Sequence, residues 1–230
     1  MTYAGPDIVT NGLVLCLDAA NRKSYPGTGS TWFDISGSGR NAIKAGTQSP
    51  TYPQYNSRGY FAFNGGILSE NYSRFEVSNI PSFSALSVFA WYRTADTTSY
   101  HTLLRMNNDD FSLALISFQQ SNFEVAAGTR YDDVGITTQI PAAVDGNWHN
   151  MGLTFDGQNL KGFFDGRQVS SATRGSPTTT AAGTLNIGTR DDAYWQHLVG
   201  DIACILLYNR ALSLSEIQQN FNANRGRFNL

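Results

Sequence analysis

Residues able to do covalent chemistry are few in this chain, and they are scattered. Its histidines are His101, His149 and His197, its glutamates Glu70, Glu76, Glu124 and Glu216, and its cysteines Cys16 and Cys204. No G-x-S-x-G elbow, P-loop, G-x-G-x-x-G or H-E-x-x-H occurs, so no motif joins a nucleophile to a base or a phosphate to a Gly-rich turn. His149 falls on the apolar side of an alternating run, where a hydrogen-bonded structural imidazole is a simpler reading than a general base. No CxxC or Cys/His spacing suggests zinc. These residues describe a protein that is not an enzyme.

The carboxylates at turns are more suggestive. Asp109-Asp110, Asp132-Asp133 and Asp191-Asp192 come in pairs, the last two in related settings, GTRYDD and GTRDDAYW. Tyr131, Tyr194 and Trp195 accompany them. Aromatic faces stack on the C–H face of a sugar while carboxylates and Arg bond its hydroxyls. These residues are therefore candidates for a glycan-binding rim. The alternative is a set of solvated turns in which Asp stabilises the backbone.

The elements that must position them read as strands. Lysine and glutamate are scarce, Gly, Ser, Thr, Asn and the aromatics plentiful, which suits strands joined by turns. LSVFAWYR (86–93) is the strongest strand. Leu86, Val88, Ala90 and Tyr92 share one face and Phe89 and Trp91 the other, which predicts a strand covered on both sides. Residues 12–18, 59–65, 101–106, 111–118, 122–128, 184–188 and 198–208 read likewise. The stretch from Asn21 to Ser57 reads as turns with one island at Trp32–Ile35. Asp145-Gly146, Asp156-Gly157 and Asp165-Gly166 punctuate a meander, because DG supplies the positive φ of tight hairpins. The chain turns at 107–110 and reverses at 119–122, so it returns at 129–133 to the rim it left. One helix is specified near the end: Ser213 and Glu216 form a capping box, Leu212 and Ile217 flank it, and Leu214, Ile217 and Phe221 share a face. The expectation is one domain, 1–230, all-β: an antiparallel β-sandwich (jelly roll) with one short C-terminal helix.

Hydrophobic residues make up 41% of the 230, enough for one core, and the net charge of −2 without basic clusters argues against nucleic acid. No apolar run reaches membrane-spanning length. The opening MTYAGPDIVTNGLVLCLD has no basic head or cleavage pattern, so synthesis in a cytoplasm is expected. Cys16 and Cys204 lie in apolar runs and read as buried thiols, with a cross-strand disulfide as the alternative.

The order of pieces resembles the laminin-G-like branch of the concanavalin A-like lectin/glucanase superfamily. The stretches that carry it are GLVLCLDAANRKSYPGTGSTWFDISGSGRNA, FSALSVFAWYRT, DGNWHNMGLTFDGQNLKGFFDG and GDIACILLYNRALSLSEIQQNFNANRGRF. The opening and closing stretches resemble a narrower group common in structural proteins of tailed phages, notably those of cyanobacteria and marine hosts. That resemblance implies a virion protein, decorating a capsid or tail surface and held by other virion proteins or a second copy of itself. A lectin-like module for host surface polysaccharide is the competing implication. The superfamily's glucanases carry an E-x-D-x-x-E array, which is absent here. Many of its jelly rolls hold a structural calcium where the first and last strands meet. Asp201 matches the Asp of that site, with Asn64 and Gly65 as carbonyl donors; a hydrogen-bonded Asp201 without metal is the other reading. Trp32, Tyr72 and Trp195, with the terminal segments MTYAGPDIVTN and FNANRGRFNL, are candidate subunit contacts.

Overall fold

Alternation of apolar side chains resolves into antiparallel sheet along most of the chain. The computed structural model describes residues 6–46, 49–53, 59–65, 73–97, 100–108, 111–119, 122–129, 132–176, 178–180, 182–189 and 197–230, with the backbone alone at 100, 107–108, 111–119, 122–123, 128–129 and 132–135. Its strands are β1 (Leu13–Asp18), β2 (Thr31–Trp32), β3 (Ala42–Ala45), β4 (Phe61–Asn64), β5 (Arg74–Ile80), β6 (Leu86–Arg93), β7 (Tyr100–Asn108) and β8 (Phe111–Gln119). After these come β9 (Asn122–Thr129), β10 (Asp132–Gln139), β11 (Trp148–Phe155), β12 (Asn159–Phe164), β13 (Arg167–Thr173), β14 (Gly183–Ile187) and β15 (Val199–Tyr208). The helix α1 spans Leu214–Asn224.

Two antiparallel sheets face each other. The seven-stranded back sheet runs β1-β15-β6-β11-β12-β13, with β4 also on β15; the eight-stranded front sheet runs β10-β9-β8-β7-β14-β5-β3-β2. Leu86, Val88, Ala90 and Tyr92 of β6 enter the core between them, with Met151, Leu153 and Phe155 of β11 and Phe75, Val77, Leu185 and Ile187 from the front. The other face of β6 is buried too. Phe89 and Trp91 pack with Trp148, Phe163, Ile217 and Phe228 in a second cluster on the outside of the back sheet. Trp91 stacks on Phe221 (5.5 Å) and Phe228 (4.4 Å). Gly152 is needed here because a Cβ would lie 2.2 Å from the Phe89 ring.

The helix starts as the sequence specifies. Ser213 Oγ accepts the Glu216 N–H (3.3 Å), and Glu216 Oε2 accepts the Ser213 N–H (2.9 Å). Hydrogen bonds from Arg210, then from Ser213, hold the Glu216 carboxyl down at about 2. Leu214 does not join the buried face: Ile217 and Asn220 are buried, and Leu214 is exposed. The Asn220 amide instead ties three elements, accepting the Val9 N–H (2.8 Å) and donating to the Tyr208 hydroxyl (3.0 Å), which donates to the Val9 carbonyl (2.9 Å).

Several surface expectations are corrected. Trp32 is fully buried against Phe61 and Phe75, so it anchors the core and no subunit contact. The closing segment folds back onto the sheet: Phe228 is buried, and Arg227 binds Asp18 (2.7 Å) and the Gly59 carbonyl (2.8 Å). Val9 of the opening segment is buried as well. Tyr72 lies outside the described residues. The Asn21–Ser57 stretch contributes two short edge strands, β2 and β3, and a knotted loop. There the Asp34 carboxylate accepts the N–H groups of Cys16 (2.9 Å), Ser36 (2.9 Å) and Arg40 (3.2 Å) and the hydroxyls of Ser36 and Ser38 (2.9 Å each). Cys16 and Cys204 are free, buried thiols. No helix among the described residues is long and apolar enough to cross a membrane.

Candidate functional site

The backbone puts Asp132 and Asp133 at the end of the front sheet where β8 begins and β9 ends. β8 pairs β9 with Ile116 opposite Val125 and Gln119 opposite Asn122, so Phe111 and Thr129 lie at the same end. Asp132 and Asp133 open β10 opposite Thr129 and Gly128, at that end too. Asp109, Asp110 and Tyr131 lie outside the described residues, as do Asp191, Asp192, Tyr194 and Trp195. The described flanks of the third pair lie elsewhere. β14 runs against β7 with Thr184 opposite Asn107 and Ile187 opposite Leu104, which carries the chain away from that rim. Gly188 then donates to the Leu103 carbonyl and accepts from Leu198, so the chain leaves and returns beside the start of β7.

Asp201 has a cation already, in protein form. Its Oδ2 accepts Nε (2.8 Å) and Nη2 (2.5 Å) of Arg93, whose guanidinium lies beside the rings of Tyr60 (5.3 Å) and Trp148 (5.2 Å). Burial lowers the Arg93 pKa, but the Asp201 carboxylate outweighs it and raises the net value. Asn64 stands opposite Val199, its Oδ1 accepting the Ser73 hydroxyl, and the Gly65 N–H donates to Leu198. A calcium ion at Asp201 would compete with a charge-assisted, doubly bonded guanidinium. Among the described residues no group of three or more His, Cys, Asp or Glu is arranged to hold a metal ion.

A different surface has the chemistry of a site. Because Phe75, Val77, Leu185 and Ile187 face the core, their strand neighbours must face outward from the front sheet. Register aligns Ile43, Glu76, Asn186 and Arg105 in one row across β3, β5, β14 and β7. Arg74, two residues before Glu76, shares the face and is bonded to it, Nε to Oε1 at 2.7 Å. Polar side chains on an outer face are ordinarily wet, yet Asn186 is 2% and Arg105 6% exposed. Asn186 Oδ1 is a buried acceptor with no donor. Such an atom costs about 1–3 kcal/mol of stability. Farther along the sheet, Glu124 of β9 is on the same side, since Val125 faces the core; burial pushes its carboxyl above its ordinary value. At the β3 edge a depression of about 460 Å³ is lined by Arg40, Asn41, Ile43, Ser78 and Asn79. The sequence carried one trace of this row: Asn186 interrupts an apolar run, TLNIG, at the position that alternation turns outward.

A family profile described as the concanavalin A-like lectin/glucanases superfamily matches residues 64–218. No curated protein matches the sequence. Among solved structures, the fold is similar to the binding domain of botulinum neurotoxin serotype G, with a TM-score of 0.67, 12% identity, and coverage of 91% of this chain and 50% of that one. It is also similar to the binding domain of Paraclostridial mosquitocidal protein 1 (TM-score 0.68, 16% identity, 93% of this chain and 52% of that one). The binding domain of botulinum neurotoxin DC, in complex with SialylT, gives a TM-score of 0.67 at 13% identity over 93% of this chain and 51% of that one. The chain thus spans about half the length of these structures, and the likeness is one of fold.

Proposed function

The chain belongs to the concanavalin A-like lectin/glucanases superfamily, and we propose that it is a non-catalytic recognition module that holds a glycan on the outer face of its front sheet. The observation that carries this is the outward row of Ile43, Glu76, Asn186 and Arg105, which register gathers from four strands beside the partly exposed Arg74–Glu76 pair. The Arg74–Glu76 pair, 2.7 Å apart, offers a donor and an acceptor to adjacent hydroxyls. Exposed Ile43 adds an apolar edge for C–H groups.

The carboxylates on this face support binding over hydrolysis. Glu76 and Glu124 are four strands apart along β5-β14-β7-β8-β9, which at ~4.8 Å per strand is about 19 Å. Glycosidase pairs work at roughly 5–9.5 Å. The similar toxin domains are binding domains; one is in complex with SialylT, and cell entry of another is dependent upon interaction with two ganglioside molecules. The resemblance to tailed-phage proteins bears on where such a module is carried, a virion surface with capsid or tail proteins beside it.

The test is calorimetric titration of the protein with host surface polysaccharides and a glycan array, repeated with Arg74→Gln and Glu76→Gln. Binding by the wild type, lost in both variants, supports the proposal. A wild type that coats purified capsid shells and takes up no glycan is a decoration protein, and the proposal fails.

A further inference from the structure

A second feature lies at the end of the back sheet, remote from Asn186. β11 begins with Trp148, and His149 follows on the core-facing side with Met151, Leu153 and Phe155. Its ring stacks on Phe164 (4.8 Å) and is 6.5 Å from the Tyr92 ring. Both nitrogens meet carboxylates: Nδ1 lies 2.8 Å from Asp165 Oδ2 and Nε2 lies 3.1 Å from Asp145 Oδ1. Each carboxylate is held from its own side. Asp145 accepts the Asn147 N–H (2.7 Å), and Asp165 Oδ1 accepts the Asn150 N–H (2.8 Å).

A neutral imidazole has a single N–H, so between two carboxylates it bonds one and turns a lone pair toward the other. Only the imidazolium satisfies both. The two carboxylates are not equally free to leave. Asp165 and Gly166 both have positive φ (48° and 72°), the tight hairpin that fixes Asp165 between β12 and β13. The Asp145 side chain is the more exposed, 36% against 25%. Its turn also forms a wall of a cleft of about 510 Å³, which Arg93, Asn147, Trp148, His149 and Phe228 line as well.

We infer that His149 is a proton-operated latch. Protonated, it ties the Asp145-Gly146-Asn147 turn to the Asp165-Gly166 hairpin; on losing the Nε2 proton it keeps Asp165 and releases Asp145, which moves that wall of the cleft. The charged groups acting on the ring agree. Burial by itself lowers the His149 pKa, but the bonds and charges of Asp165 and then Asp145 raise it above the ordinary value. Of the titratable groups on β6, Arg93 is paired with Asp201, and Tyr92 stays neutral because burial raises its pKa well above the ordinary value; its hydroxyl donates to the Ala143 carbonyl.

The experiment is an NMR titration of the wild-type chain, following the His149 ring and the amide exchange of Asn147 and Asn150. His149 should titrate above its ordinary pKa of about 6.5. Across that titration, Asn147 exchange should rise by roughly an order of magnitude relative to Asn150, whose carboxylate stays in place. Because the folded pKa is raised, the latch's stability is fully present below about pH 6.5 and is lost as pH rises through the folded value. The melting temperature of the wild type should exceed that of His149→Gln in the first range and approach it in the second. A His149 that titrates at or below 6.5, or two amides that respond alike, overturns the latch. The wild-type titration decides the matter even if His149→Gln fails to fold.

Discussion

Asn186→Val deletes an amide and leaves a side chain of similar size that suits a strand. Ordinarily a polar-to-apolar change at a buried position is read as loss. Here the sign should invert, because Oδ1 has no donor in the folded protein and has given up its water. Removing that unpaired acceptor returns about 1–3 kcal/mol. For a chain of this length each kcal/mol moves the melting temperature by about 2–4 °C, so a rise of roughly 2–12 °C is expected. Leu185, one residue earlier, faces the core and is fully buried. Leu185→Ala supplies the opposite sign, costing about 2–5 kcal/mol. The assay is thermal and urea unfolding of the three proteins without glycan, at a pH where none aggregates. A melting temperature for Asn186→Val that falls by several degrees would refute the reasoning. Asn186 would then be a structural partner on this face.

The Asp34 knot should respond in the usual direction: Asp34→Ala strands the Cys16 N–H and unties the loop, a loss of about 2–4 kcal/mol by denaturant titration. Burial raises the Asp34 pKa, but the bonds from Cys16, Ser36 and Ser38 win and lower it. Its contribution is therefore present above the ordinary carboxyl range and lost as pH falls through the folded value, so the gap between wild type and Asp34→Ala should narrow in acid. Millimolar calcium or a chelator should leave the melting temperature unchanged, since Arg93 occupies the Asp201 carboxylate; a calcium-dependent rise abolished by Asp201→Ala would place a metal there. Burial, with Asp18 and Asp34, pushes the Cys16 thiol up to about 12, so alkylation at pH 8 should require unfolding; reaction of the folded chain would show the strand opening locally.

What the sequence made legible was whatever a short pattern encodes. The two apolar faces of LSVFAWYR implied a layer on each side of β6, and the second layer is α1 with Phe228. The capping box and the Asp165-Gly166 hairpin are local, and each needed only its own neighbours to be read. The front row was not legible, because Ile43, Glu76, Asn186 and Arg105 come from four strands and meet only through register. Arg93 with Asp201 is the same case at a separation of 108 residues. β2 and β3 have two and four residues, too few for alternation to emerge. Leu214 shows the limit of helical periodicity, which finds an apolar stripe and not which of its members the sheet will cover.

The closing segment that lies across Trp91 has an effect on the surface left for change. Helix and tail upholster one side of the sandwich with side chains that answer to packing, so substitutions there are constrained by fit. The other side has a row of amide, carboxylate and guanidinium groups set by register, of which Arg74 and Glu76 reach the surface while Asn186 and Arg105 are buried. On the proposed function, selection can rewrite the partly exposed members of this row while the scaffold behind them stays the same.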